Sequence, residues 1–198
     1  MNWIKHPIRL EGEKVILLPL EESHFNELIS ISGDDCIWGF MRIKEAGNGA
    51  LLSELQEALC QRELGIEYPF VVIDKATHNI MGSTRYLKIS EEHRNLEIGW
   101  TWYSPAYWGK GYNDECKLLL LTHCFETLDV IRVQIVAAAN NVRSRKAIER
   151  IGGRFEGILR NALIRHNGIR SSAYYSILPE EWDEVKTNLI HLVHTRGK

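Results

Sequence analysis

The sequence is poor in the features that usually mark a chain for a particular environment. It holds only four cysteines, Cys36, Cys60, Cys116 and Cys124, with no C-x-x-C spacing and no histidine pattern that builds a zinc site. That usage gives no metal site and reads as reduced thiols in a cytoplasmic protein. Neither charge dominates: 24 Lys and Arg face 26 Asp and Glu, for a formal charge of −2. A balance of this kind gives no general attraction to nucleic acid or to an anionic membrane, so any anionic ligand must be held locally. No apolar run approaches the ~18–20 residues that span a bilayer. The opening Met-Asn-Trp-Ile-Lys-His-Pro lacks the apolar core of a signal peptide. Internal repeats, low-complexity tracts and evident linkers are missing too, which leaves a single domain over residues 1–198.

What is present is an ordinary globular composition, 44% hydrophobic and 25% charged, with six tryptophans that suggest an aromatic-lined groove. Residues 8–20 read as a strand interrupted by a turn at Gly12, and 21–31 as a short helix closed by Gly33. Residues 33–49 are glycine-rich and irregular, and a second helix covers 51–64 up to Gly65. Strands follow at 69–74, 80–89 and 95–103, the first two as a hairpin. Leu118, Leu121, Phe125 and Leu128 recur at helical spacing within 113–128. A β-branched strand at 132–139 leads to a helix at 141–151, stopped by Gly152-Gly153. A last hairpin, 155–165 with 169–178, turns across His166-Asn167-Gly168, and Pro179 to Trp182 open a terminal helix. The order predicts one mixed α/β domain of the α+β type, with a mostly antiparallel sheet of about seven strands flanked by helices.

The most informative tract is 96–113, where an alternating strand passes a Ser-Pro turn and Gly109-Lys110-Gly111 before entering a leucine-rich helix. Glycines let the backbone approach an anion, and the free N–H groups of a first helical turn point at it. The loop lacks the third glycine of a dinucleotide fingerprint and the Gly-Lys-Ser/Thr of a nucleotide loop. Asp114 and Glu115 suit the helix dipole but would repel a pyrophosphate, so an anion site here requires them to point away.

A second tract, 140–157, ends a strand in Asn140-Asn141, continues into the basic helix Val-Arg-Ser-Arg-Lys, and reaches Gly152-Gly153 before another strand. Together, Tyr-Trp-Gly-Lys-Gly-Tyr at 107–112 and the stretch 141–152 resemble the GNAT family of acyl-CoA-dependent N-acyltransferases. Within it the chain resembles the Rim-type branch, whose founding members acetylate N-termini of ribosomal proteins. The resemblance runs from about Ile8 to Trp182. It implies a sheet splayed at the site of acetyl-CoA, the acyl-donor cosubstrate. The backbone of Thr101, Trp102 and Tyr103 would pair with the pantetheine arm. Trp108, Gly109, Lys110, Gly111, Tyr112 and Asn113 would wrap the pyrophosphate. Asn141 would bond the cofactor arm and Ser144 would lie near the thioester sulfur or the cofactor chain. Arg143, Arg145 or Lys146 would meet the 3′-phosphate. The chain departs from the family pattern at Asn113, where a small residue is usual, and at Ile148, where many relatives carry a tyrosine acid.

Acyl transfer requires a neutral amine, and an α-amino group (reference pKa ≈ 7.7–8.0) is partly free at neutral pH where a lysine-like amine is not. Glu97 is the candidate base, directly or through water; strict alternation places it on the face of Thr101. The alternative is a surface carboxylate or one paired with Arg85. Ser144 is the candidate proton donor, against a plain helix-capping role. Tyr174 and Tyr175 are alternative acids or packing residues. His93, His123 and His166 have no visible partner, and Cys116 and Cys124 read as core residues. Residues 33–49, with Trp38, Phe40 and Met41, and the last hairpin should form the acceptor pocket. The resemblance then implies direct acetyl transfer to an amine-bearing small molecule or a peptide N-terminus. A noncatalytic acyl-CoA-binding sensor of the same fold is a second reading, and an unrelated nucleotide binder a third. A homodimer fits the resemblance, and exposed tryptophans would suit one.

Overall fold

A computed structural model describes residues 3–41, 43, 49–165 and 168–196. Among these, eight strands form one sheet in the order β1-β2-β3-β4-β5-β6-β8-β7. The turn at Gly12 divides the first strand into β1 (Leu10–Glu11) and β2 (Val15–Pro19), which is why eight strands appear where about seven are expected. Next come α1 (Phe25–Ser30), α2 (Ala50–Glu63), β3 (Tyr68–Asp74), β4 (Ile80–Ser90) and β5 (Asn95–Tyr103). Then follow α3 (Tyr112–Thr122), β6 (Arg132–Ala138), α4 (Val142–Arg150), β7 (Arg154–Arg165), β8 (Gly168–Ile177) and α5 (Trp182–Arg196). The expected His166-Asn167 part of the last turn and residues 42 and 44–48 of the irregular segment lie outside the described residues.

Period-two patterning gives the sheet two apolar faces. On one, α1 and α2 bury Leu28, Leu51 and Leu55 against Val71 and Trp102. On the other, α3, α4 and α5 bury Leu120, Ile148 and Leu189 against Phe70, Val72, Ile98 and Val133. Among the described residues, every sheet pairing is antiparallel except β5 with β6. That parallel pair has three rungs, ending at Glu97↔Gln134. Beyond this rung β5 stays paired to β4 and β6 to β8, so the sheet opens as a V with its apex at Glu97.

The β4–β5 ladder also slips: Ser83 faces Trp102, but Arg85 faces Gly99. Trp100 absorbs the extra residue at φ +52°. Parity therefore inverts along β5. Leu96 and Ile98 pack toward α3, whereas Trp102 packs toward α2. Strict alternation fails here, and Glu97 lies on the face opposite Thr101, whose hydroxyl receives a hydrogen bond from Lys117 on α3. Gly82 allows the close approach at the bulge, since a Cβ there would run into the Trp102 carbonyl.

None of the six tryptophans is exposed, so the expected aromatic surface for a dimer is not formed by them. Trp38, assigned to the acceptor pocket, is fully buried, its Nε1 donating to the Ser32 carbonyl and its ring 5.3 Å from that of Trp102. No helix among the described residues is long and apolar enough to cross a membrane.

Candidate functional site

Two loops and the splayed strands converge on the open end of the V. The loop before α3 is shaped by Gly109 and Gly111, at φ +75° and +83°, values that a side chain would strain. Among the described residues, the N–H groups of Gly109, Lys110, Gly111, Tyr112 and Asn113 make no backbone hydrogen bond. Five such donors at a helix N-terminus could hold an anion. The two acids that threatened it are turned inward. Asp114 is buried and accepts from Arg150 Nη2 at 2.5 Å. Glu115 is buried and accepts from the backbone N–H groups of Glu13 (2.5 Å) and Lys14 (3.0 Å), holding the β1–β2 turn. Neither carboxylate faces the cradle.

Trp108 fixes this loop from both sides. Its Nε1 donates to the Tyr103 carbonyl at 2.9 Å, and the Arg143 guanidinium lies 4.2 Å from its ring centre. The start of α4 is thereby drawn to the loop. Asn141 caps α4 through Oδ1, which accepts from the Ser144 N–H at 3.0 Å. The cap is therefore Asn141 rather than Ser144, and the Asn141 amide NH2 and the half-buried Ser144 hydroxyl remain without a partner among the described residues. Arg145 is engaged elsewhere: Nε donates to the Tyr175 hydroxyl and Nη1 to the Ala139 carbonyl. Lys146 is exposed. Ile148 sits in the core, as its apolar character requires.

At the apex, Glu97 is 8% exposed and held by two donors. Lys88 Nζ and Gln134 Nε2 both reach its Oε2, at 2.8 and 2.9 Å. The expected partner Arg85 instead pairs with Glu67 at 3.0 Å and lies over the Trp100 ring at 4.2 Å. Lys88 and Gln134 are the residues that sequence reasoning missed. Gln134 occupies the only rung opposite Glu97 in a parallel pair, a register that the sequence does not carry.

Other candidates separate cleanly. The Tyr175 hydroxyl donates to Glu149 at 2.8 Å on the α4 side, and burial raises its pKa. Tyr174 lies on the opposite face of β8, paired with Val136 on β6 and Gly157 on β7. His123, expected to lack a partner, is half-buried and stacks on Tyr86, whose hydroxyl lies 3.2 Å from its Nδ1, and burial lowers its pKa. His93 is exposed, and His166 lies outside the described residues. Cys116 and Cys124 are buried; desolvation raises both thiols, Cys124 to about 12, which makes neither a ready nucleophile.

Beside the open V lies a cavity of about 290 Å3. Phe40 and Met41 from the α1–α2 connection form one wall, and Arg165, Ile169, Arg170 and Ser171 from the β7–β8 hairpin form the other. Its floor is the end of β6, Ala138 to Asn140. The two segments expected to build an acceptor pocket thus meet around one space.

Residues 14–154 match the acetyltransferase (GNAT) domain model. Over 114 residues the chain is 31% identical to YnaD of Bacillus subtilis, itself an uncharacterised N-acetyltransferase, covering 58% of this chain and 66% of that one. Over 108 residues it is 34% identical to YdaF of the same organism, provisionally named a ribosomal N-acetyltransferase, covering 54% of this chain and 58% of that one. The chain therefore aligns with less than two thirds of either relative's length. A crystal structure of a provisionally named acetyltransferase from T. thermophilus superposes with a TM-score of 0.84 at 30% identity, covering 95% of this chain and 98% of that one.

Proposed function

Because the chain belongs to the GNAT acetyltransferase family, we propose that it moves an acetyl group from acetyl-CoA to a primary amine by direct attack on the thioester. The acceptor is a protein or peptide N-terminus or a small-molecule amine. The observation that carries this reading is the V in the sheet, whose open end meets five unbonded N–H groups at Gly109–Asn113 with both neighbouring acids turned inward. The likeness to YdaF favours a protein N-terminus among the possible acceptors.

Acetyl-CoA supplies the activated acyl group; the chain's residues bind, orient and move protons. The backbone edge of β5 at Thr101, Trp102 and Tyr103 pairs with the pantetheine arm, and the Asn141 amide donates to it. The cradle from Trp108 to Asn113 takes the pyrophosphate, with Arg143 and Lys146 at hand for the 3′-phosphate. Glu97 accepts the amine proton through water. Lys88 and Gln134 occupy its Oε2, while Oε1 has no donor among the described residues. An α-amino group is already partly neutral near pH 8, so a positioned carboxylate and a water suffice. Free N–H groups of β5 beyond the apex stabilise the tetrahedral oxyanion. The Ser144 hydroxyl hydrogen-bonds the departing sulfur; Tyr174 is the second group on the acceptor face able to donate.

Thiol release from acetyl-CoA over a panel of N-terminal peptides, polyamines, aminoglycosides and amino acids tests the reading. Amine-dependent release with one acceptor class is expected. Tight CoA binding without turnover on any amine would instead mark a sensor.

A further inference from the structure

The cavity beside the V carries charge that acetyl transfer by itself does not call for. Arg170 is half-buried within it, and its Nη1 donates to the Phe40 carbonyl at 3.2 Å. Its Nε is buried without an acceptor, and it forms no ion pair among the described residues. Arg165 stands close enough to repel it, while the Glu97 carboxylate attracts it. A partly desolvated guanidinium beside a second cation is costly unless an anion completes the pair. Its planar fork of donors matches a carboxylate with two parallel hydrogen bonds. The remaining walls, Phe40, Met41 and Ile169, are apolar.

We propose that the acceptor carries a carboxylate close to its reactive amine, which Arg170 holds with Arg165 beside it. This rests on the acetyl-transfer reading and narrows its acceptor. The carboxylate belongs either to a free α-amino acid or to an acidic residue beside a peptide N-terminus. Polyamines and aminoglycosides, which bring more positive charge toward two arginines, are poor acceptors.

Matched acceptor pairs separate the sources: peptides beginning Ser-Asp against Ser-Asn, and free amino acids against their amides. Thiol release and calorimetric binding to the CoA-loaded protein are both measured. For one pair, the carboxylate member is expected to show at least about tenfold higher kcat/KM, the scale of a charged hydrogen bond. Arg170→Gln should collapse that ratio toward one. Equal use of both members of both pairs overturns the proposal, as does an Arg170→Gln variant that keeps the wild-type ratio. A loss confined to CoA affinity overturns it as well, since the arginine would then serve the cofactor. If no amine is turned over, binding decides. Carboxylate-selective binding lost in Arg170→Gln upholds this inference while the transfer reading fails, and unselective binding overturns it.

Discussion

The Arg143 guanidinium lies 4.2 Å from the centre of the Trp108 ring, joining the start of α4 to the loop that opens α3. These two segments flank the open end of the V, so the contact sets the width of the site that we assign to CoA. Replacing Arg143 with Ala removes a cation–π contact of about 0.5–1 kcal/mol and should weaken CoA binding several-fold. Trp108→Ala also removes the bond to the Tyr103 carbonyl and should cost more. Calorimetric titration with CoA ranks the two variants.

The inward turn of Glu115 predicts a structural, not a catalytic, role. Glu115→Ala leaves the N–H groups of Glu13 and Lys14 without their acceptor and should destabilise the fold by about 2–3 kcal/mol. Thermal unfolding should show the loss, and CoA affinity measured well below the transition should be largely retained.

Glu156 on β7 pairs with Arg132 on β6 and accepts from Ser176, and its carboxyl is lowered to about 2, chiefly by the Arg132 bond. A depressed acid contributes stability that is present above its unfolded value of 4.5 and lost as pH falls through the folded value. The pair is 31% and 39% exposed, so solvent screening reduces its worth to about 1 kcal/mol. Glu156→Gln should therefore be less stable than wild type at pH 7, and the difference should vanish between pH 4.5 and 2.

Lys117 is buried on α3 with its Nζ bonded to the Thr101 hydroxyl at 2.9 Å, and desolvation lowers its pKa. The folded state then binds the proton less readily than the unfolded chain. Stability must rise with pH between the lowered value and the ordinary 10.5. Lys117→Met should match or exceed wild-type stability at pH 7, and wild type should gain on it as pH climbs toward 10. Chemical denaturation at several pH values reads the crossing.

Thiol counting separates core from surface. Cys36 and Cys60 are exposed, whereas Cys116 and Cys124 are buried. Two thiols should react in the native protein, Cys36 slowed by the Asp34 side chain that raises its pKa, and four after unfolding.

The order of elements was legible in the sequence because each carries its own period and punctuation. Gly65, Gly152-Gly153 and the leucines of α3 place their boundaries to within a few residues. The Gly109–Gly111 loop was legible for the same reason, since its glycines act locally. What escaped was long-range or sterically unusual. A tryptophan at φ +52° is not a residue that signals a bulge, so the face of Glu97 was read wrongly from alternation. The partners of Asp114 and Glu115 lie on α4 and the β1–β2 turn, and only the folded chain brings them together. Gln134 and Lys88 reach Glu97 through sheet registers that depend on the bulges and on the parallel β5–β6 pairing. Arg165 and Arg170 gain meaning only opposite Phe40 and Met41, far away in the sequence.

The assignment of Glu97 at the apex of the splayed sheet is tested most directly by Glu97→Gln, with kcat for thiol release and the dissociation constant of CoA measured on the same preparation. A positioned base is worth about 10²–10⁴ in rate. The variant should lose at least about a hundredfold in kcat while its affinity for CoA changes less than about threefold. Unchanged turnover, or a loss of CoA affinity equal to the loss of rate, would contradict a base at this position.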